Sequence, residues 1–293
     1  MVWTMTLAGI AALAWGSSDF VAGVCARRMP IRTVLIGSKL AGMLFAVAFL
    51  AVRGQPLAAD ARLFLTAAAA GAIGLPAMGL LYRAMRDGSL AVVAPVAAVA
   101  ALVPVAWGLM HGETFGPAAA AGGVAALAGI TLASWPVTPS RPGDPLRGHH
   151  SPATVKTAVC GAGAALGFGL YFVLLHEAAP GDPSGATAYV RIAGGTLALL
   201  VLLARPIRSP APSVPRGRSV WLLPAVVGVL DTVADGAFAF AAAAGTIGTA
   251  AILASMYPAV TVLLTTAVLR ERLPRVHLVG VLSALVAVAC LAV

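Results

Sequence analysis

The chain has 293 residues, of which 60% are apolar and only 10% are Asp, Glu, Lys or Arg. A water-soluble domain carries about 25% charged residues and a disordered chain is poor in apolar ones, so the composition excludes both classes. The 19 basic and 10 acidic residues leave a net charge of +9, but the basic residues fall in short connectors between apolar runs, which points to a bilayer and not to nucleic acid.

A helix crosses the hydrocarbon with about 20 mostly apolar residues. The sequence predicts ten such runs: 3–25, 33–52, 63–85, 89–110, 117–135, 155–175, 185–204, 219–243, 246–269 and 276–293. They are apolar all round, without the period of two that marks barrel strands. The first lacks a basic leader and stays apolar past Asp19 to Ala26, so it reads as a span and not as a signal peptide. Two connectors are long and rich in Pro and Arg: a linker at 136–154, between units 1–135 and 155–293, and a loop at 205–218. Cys25, Cys160 and Cys290 all sit inside apolar runs and form neither a disulfide framework nor a metal motif. The expected fold is an all-α integral membrane protein of ten transmembrane helices.

Basic residues set the orientation. The odd-numbered connectors hold Arg27, Arg28 and Arg32, then Arg83 and Arg86, then Arg141, Arg147 and Lys156. They continue with Arg205, Arg208, Arg216 and Arg218, and finally Arg270, Arg272 and Arg275. The even connectors hold only Arg53 and Arg62. Odd connectors are therefore expected in the cytoplasm and both termini outside.

The two units align with each other. Ser38-Lys39-Leu40-Ala41-Gly42 matches Val190-Arg191-Ile192-Ala193-Gly194, Gly71 matches Gly228, Gly88 matches Gly245, and Gly112-Glu113 matches Arg270-Glu271. Gly16 set against Gly167 puts Phe20 opposite Tyr171. Five helices per half is an odd number, so the second half enters the membrane in the opposite sense. Inverted repeats of this kind recur in secondary transporters.

The opening Ala14-Trp15-Gly16-Ser17-Ser18-Asp19-Phe20, the Met256-Tyr257-Pro258-Ala259-Val260-Thr261 stretch and Leu269-Arg270-Glu271-Arg272-Leu273 resemble the EamA-type carriers of the drug/metabolite transporter superfamily. The Tyr-Pro element is not duplicated, since Ala101-Leu102-Val103-Pro104 stands in the first half. The resemblance implies a multi-pass protein of the bacterial inner membrane that exports small metabolites, often amino acids and sometimes drugs, through a cavity between its halves. It fixes no substrate.

Ionisable residues in a span cost several kcal/mol, about 2.5–3.5 on insertion scales, and are functional candidates by default. Lys39 and Arg191 hold equivalent positions in the two halves. They read as ligands for an anionic group, as internal ion-pair partners, or as side chains snorkelling to the surface. Asp231 and Asp235 are four apart and share a helix face. Two close carboxylates cannot both ionise cheaply, so the pair is the candidate for proton coupling, with pairing to Lys39 or Arg191 as the plainer reading. Asp19 is either a ligand or the counter-ion of Lys39. Trp15, Tyr82, Tyr171 and Tyr257 are the aromatic candidates for a substrate cavity, with the interfacial belt as the ordinary alternative. Glu113 and Glu271 precede the fifth and tenth helices and read as structural caps.

No nucleotide-binding loop is present. The five histidines lie at loops or helix ends without a ligand partner at helical spacing, so neither an enzyme nor a metal or cofactor site is expected. The leading expectation is a secondary transporter working by alternating access, as a monomer or a homodimer. Its partners would be a small molecule such as an amino acid, the lipid bilayer, and protons if the acidic pair titrates. A multidrug or cationic-compound exporter and an uncoupled facilitator are the alternatives.

Overall fold

A computed structural model describes residues 2–54, 60–87, 93–117, 120–125, 152–204 and 218–269, with positions 128, 279 and 283. Among these residues nine helices are delimited and no strand occurs. They are α1 (Val2–Arg28), α2 (Ile31–Arg53), α3 (Ala61–Asp87), α4 (Val93–Met110) and α5 (Pro152–Ala178). After these come α6 (Pro183–Leu203), α7 (Arg218–Ala244), α8 (Ile247–Ala254) and α9 (Tyr257–Leu269). Seven spans are long and apolar enough to cross a bilayer, with α8 and α9 together forming one of them. The fourth run gives a shorter apolar helix, Ala100–Met110. Much of the fifth expected run, nearly all of the tenth, most of the linker, Gly88 and Glu271 lie outside the described residues.

Lipid offers no hydrogen bonds, so each spanning backbone must satisfy itself as a helix. The ends are finished locally. Gly54, at φ 64°, closes α2 with its N–H on the Leu50 carbonyl, a left-handed position that suits glycine. Asp182 caps α6 by accepting from the Gly185 N–H at 2.9 Å. The ninth run, expected as one helix, is broken at Ser255–Met256. Pro258 is the cause: it has no N–H for the Ala254 carbonyl and its ring would strike that carbonyl.

The two halves interdigitate. α3 packs on α5 and α6, α1 on α7, α8 and α9, α2 on α6 and α7, and α4 on α5 and α8. Each of these contacts joins one half to the other. Small residues allow the approach: a Cβ on Gly71 would lie 2.7 Å from the Gly194 nitrogen and 2.8 Å from the Val190 carbonyl. A Cβ on Gly228 would strike the Ser38 carbonyl and lie 2.8 Å from the Gly42 nitrogen. These crossings, α3 on α6 and α7 on α2, are the same contact repeated, because Gly71 matches Gly228, and Ser38 and Gly42 match Val190 and Gly194. Such reciprocity is what a pseudo-two-fold axis produces.

The contacts correct one alignment. Gly16 packs against the Tyr257 carbonyl and Val260, and Gly169 packs against the Ala100 carbonyl and Val103. Ala100 and Val103 precede Tyr257 and Val260 by the same interval that separates Gly71 from Gly228. Gly169, not Gly167, is therefore the partner of Gly16, and Asp19 stands opposite Phe172 instead of Phe20 opposite Tyr171.

Candidate functional site

Between the halves lies a cavity of about 470 Å³, counting its open mouth. Trp15 and Asp19 reach it from α1, Lys39 from α2, Tyr171 from α5 and Arg191 from α6. Asp231 and Asp235 enter from α7, and Tyr257 from the start of α9. Tyr82, expected at the cavity, is not among the lining residues. It is 1% exposed, and its hydroxyl faces Ser38 without a hydrogen bond of normal geometry. The α3 helix contributes Gly74, Met78 and Leu81 to the lining.

The charges divide into a bonded set and two outlying groups. Arg191 Nη2 lies 2.6 Å from Asp235 Oδ2, and Nη1 lies 3.9 Å from Asp231 Oδ2. The Tyr171 hydroxyl donates to the same Asp235 oxygen, while Ser18 Oγ donates to Asp231 Oδ1 at 2.6 Å. Arg191 thus pairs closely with Asp235 and more distantly with Asp231, the two that spacing had placed on one face, and each carboxylate also accepts from a hydroxyl. A buried charge needs such partners. Lys39 and Asp19 have none: among the described residues neither makes an ion pair or side-chain hydrogen bond, yet they are only 7% and 6% exposed. Both cations face the cavity, so neither snorkels to the membrane surface.

One wall is aromatic. The Trp15 ring centroid lies 5.1 Å from Phe172, 5.8 Å from Phe238 and 6.2 Å from Tyr257. Phe168 and Phe172 line the cavity and were not singled out by the sequence reading. The corrected register supplies the missing signal, since it sets Phe168 opposite Trp15.

Glu113 is a cap, and the helix it caps among the described residues belongs to the other half. Its carboxylate accepts from the Ile247 N–H at 2.8 Å and the Gly248 N–H at 3.1 Å, closing the start of α8 in the other half. The chain turns at Gly112, φ 90°, and the side chain folds back over Gly108. Gly108 leaves the room for that fold-back, and Gly163 and Gly167 face Leu80 and Ala77 of α3.

At the same end of the bundle, Arg53 Nη1 meets both oxygens of Asp182 at 3.0 and 2.9 Å. Arg62 Nη2 reaches Glu177 at 2.9 Å, and Trp107 Nε1 donates to Glu177 at 3.1 Å. Partial burial alone would raise the Asp182 carboxyl, but Arg53, the Gly185 N–H and the Ser184 hydroxyl hold it below the ordinary carboxylate range. Among the described residues no group of His, Cys, Asp and Glu is placed to hold a metal ion.

A multi-pass helical protein whose two halves enclose a charged cavity is the class defined by this fold and site. The sequence profile of the EamA-like transporter family matches the chain twice, over residues 2–135 and 155–293. The protein belongs to the EamA-like transporter family. A solved crystal structure matches with a TM-score of 0.76, covering 98% of this chain and 95% of its own, at 18% identity. At that identity the likeness is one of fold alone. No curated protein matches the sequence.

Proposed function

We propose that the protein is a secondary carrier that exports small metabolites bearing both an ammonium and a carboxylate, amino acids among them, by alternating access. The observation that carries this reading is the pair left without partners. Lys39 and Asp19 are buried groups of opposite charge in one cavity, and among the described residues neither makes an ion pair or a side-chain hydrogen bond. The cavity has charged groups and aromatic rings on its walls, the mix of apolar surface and a few polar anchors that small-molecule sites use. In this reading a substrate carboxylate meets Lys39 and its ammonium meets Asp19. Trp15, Phe172 and Tyr257 face its apolar part. The Arg191–Asp235–Tyr171 set holds α5, α6 and α7 in place. Asp231 and Asp235 serve proton coupling only when Arg191 releases them, whereas Asp19 is open to a proton whenever the site is empty.

The test uses proteoliposomes with a pH-sensitive dye inside, screened with amino acids and small cationic drugs with and without a pH gradient. Carriage of a zwitterion is expected, with Lys39→Gln and Asp19→Asn each raising KM at least about tenfold, since a charged hydrogen bond contributes about 1.5–3 kcal/mol. Uptake of cations alone, lost in Asp19→Asn and kept in Lys39→Gln, would favour the cationic-compound reading.

A further inference from the structure

Among the described residues, the ion pairs that join the halves outside the cavity, together with the Glu113 cap, are grouped at one end of the bundle. That end carries the finish of α2 and α4, the starts of α3, α6 and α8, and the end of α5. The Arg53–Asp182 pair, the Arg62–Glu177–Trp107 set and the Glu113 cap on α8 all lie there. Among the described residues no ion pair joins the halves at the opposite end.

The strongest of these contacts has no symmetry mate. In the register that sets Lys39 against Arg191 and Gly42 against Gly194, the counterpart of Asp182 is Pro30. Asp182 caps α6 and takes Arg53 on both oxygens. Pro30 occupies the equivalent cap of α2 and makes no side-chain bond. The Arg53 and Asp182 side chains are about one-fifth exposed, so solvent screens them less than a fully exposed surface pair.

Two equal halves would close either end of the cavity at equal cost. Here one end carries an ion pair on both oxygens of Asp182, and its symmetry equivalent cannot form because Pro30 stands in the place of the acid. We infer that Arg53 and Asp182 act as a clasp between the halves that biases the resting protein toward closure at the even-connector end, leaving the other end as the favoured opening. By the charge count the closed end is the external one. The inference rests on the alternating-access reading.

The experiment measures conformation directly. Cys25, Cys160 and Cys290 are replaced by alanine, and spin labels are placed on cysteines at Val52 and Pro180, both exposed beside the clasp. Pulsed dipolar spectroscopy in lipid then gives the distance distribution without any substrate. One short distance is expected for the parent. Asp182→Asn keeps the helix cap, since asparagine caps as well as aspartate, but removes the charge. It should raise the long-distance to short-distance ratio about tenfold, as loss of a charged hydrogen bond would. Arg53→Gln should do the same, the double variant no more than either single one, and Arg53→Lys less. Unchanged distances in both single variants, or a double shift equal to the product of the two, would overturn the clasp. Because no transport is read, failure to find any carried compound would count against the carrier reading and leave this result standing.

Discussion

Arg53 and Arg62 are the two basic residues that depart from the charge asymmetry of the connectors, and both are held by acids of the other half. Asp182 takes the first and Glu177 the second. Pairing removes their charge from the local field, which is how they are tolerated on the less basic side. Asp182 also gives a pH prediction. Its carboxyl sits below the ordinary range in the folded protein, so its contribution is present above the unfolded value of about 3.9 and is lost as pH falls through the depressed one. The Ser184 hydroxyl and the Gly185 N–H do not titrate here. Thermal unfolding in detergent should therefore show no Asp182-dependent change between pH 8 and 5. The difference between the parent and Asp182→Asn should shrink only below about pH 4. A difference that vanished near pH 6 would assign the effect to another group.

At the scale of helices, the instructive case is α8. Its eight residues are too few to be stable alone, and its first N–H groups are capped from a distant part of the chain. Thr246 Oγ1 accepts from the Thr249 N–H at 3.2 Å, and Glu113 takes those of Ile247 and Gly248. Glu113→Gln should lower stability by about 1 kcal/mol and speed amide exchange at Ile247 and Gly248, while residues of α2 keep their protection. Uniform loss of protection would show that Glu113 acts through global stability instead. The sequence showed that Glu113 stands before a helix, but not which helix it caps. Acidic residues favour any nearby helix start, and only the packing of the halves brings α8 within reach. The break before Tyr257 was legible in Pro258 itself, yet an unbroken apolar run hid it. Length and hydrophobicity report membrane crossing and say little about continuity.

Across the whole molecule, the repeat was the most informative feature of the sequence. Two of its glycine pairs, Gly71 with Gly228 and Gly42 with Gly194, form the reciprocal crossings, so Gly71→Ala and Gly228→Ala should damage folding alike. Each would drive a Cβ into backbone at 2.8 Å or less, where nothing flexible can yield. Expression level and monodispersity should fall in both, and a normal Gly228→Ala protein would refute the reciprocal packing. The charged cavity was legible for a related reason: charges are so costly in a span that Asp19, Lys39, Arg191, Asp231 and Asp235 stood out against an apolar background. Which of them pair could not be read, since that depends on helix rotation. Tyr82 shows the same limit, as an aromatic residue carries no such cost on either side of its helix. The helix-one register failed because Gly163, Gly167 and Gly169 offer several matches within one turn or so.

The interleaving of the halves also bears on how the protein is made. Its main helix contacts join residues before the linker to residues after it, so the first half enters the bilayer before its packing partners exist. At about 5–20 residues per second, it waits on the order of ten seconds for the second. Individual helices are stable in lipid during that interval, but their polar residues face hydrocarbon, and Lys39 and Asp19 are exposed to quality control. A message truncated at the linker should yield a half without its packing partners. Two separately encoded halves synthesised together should rebuild one another.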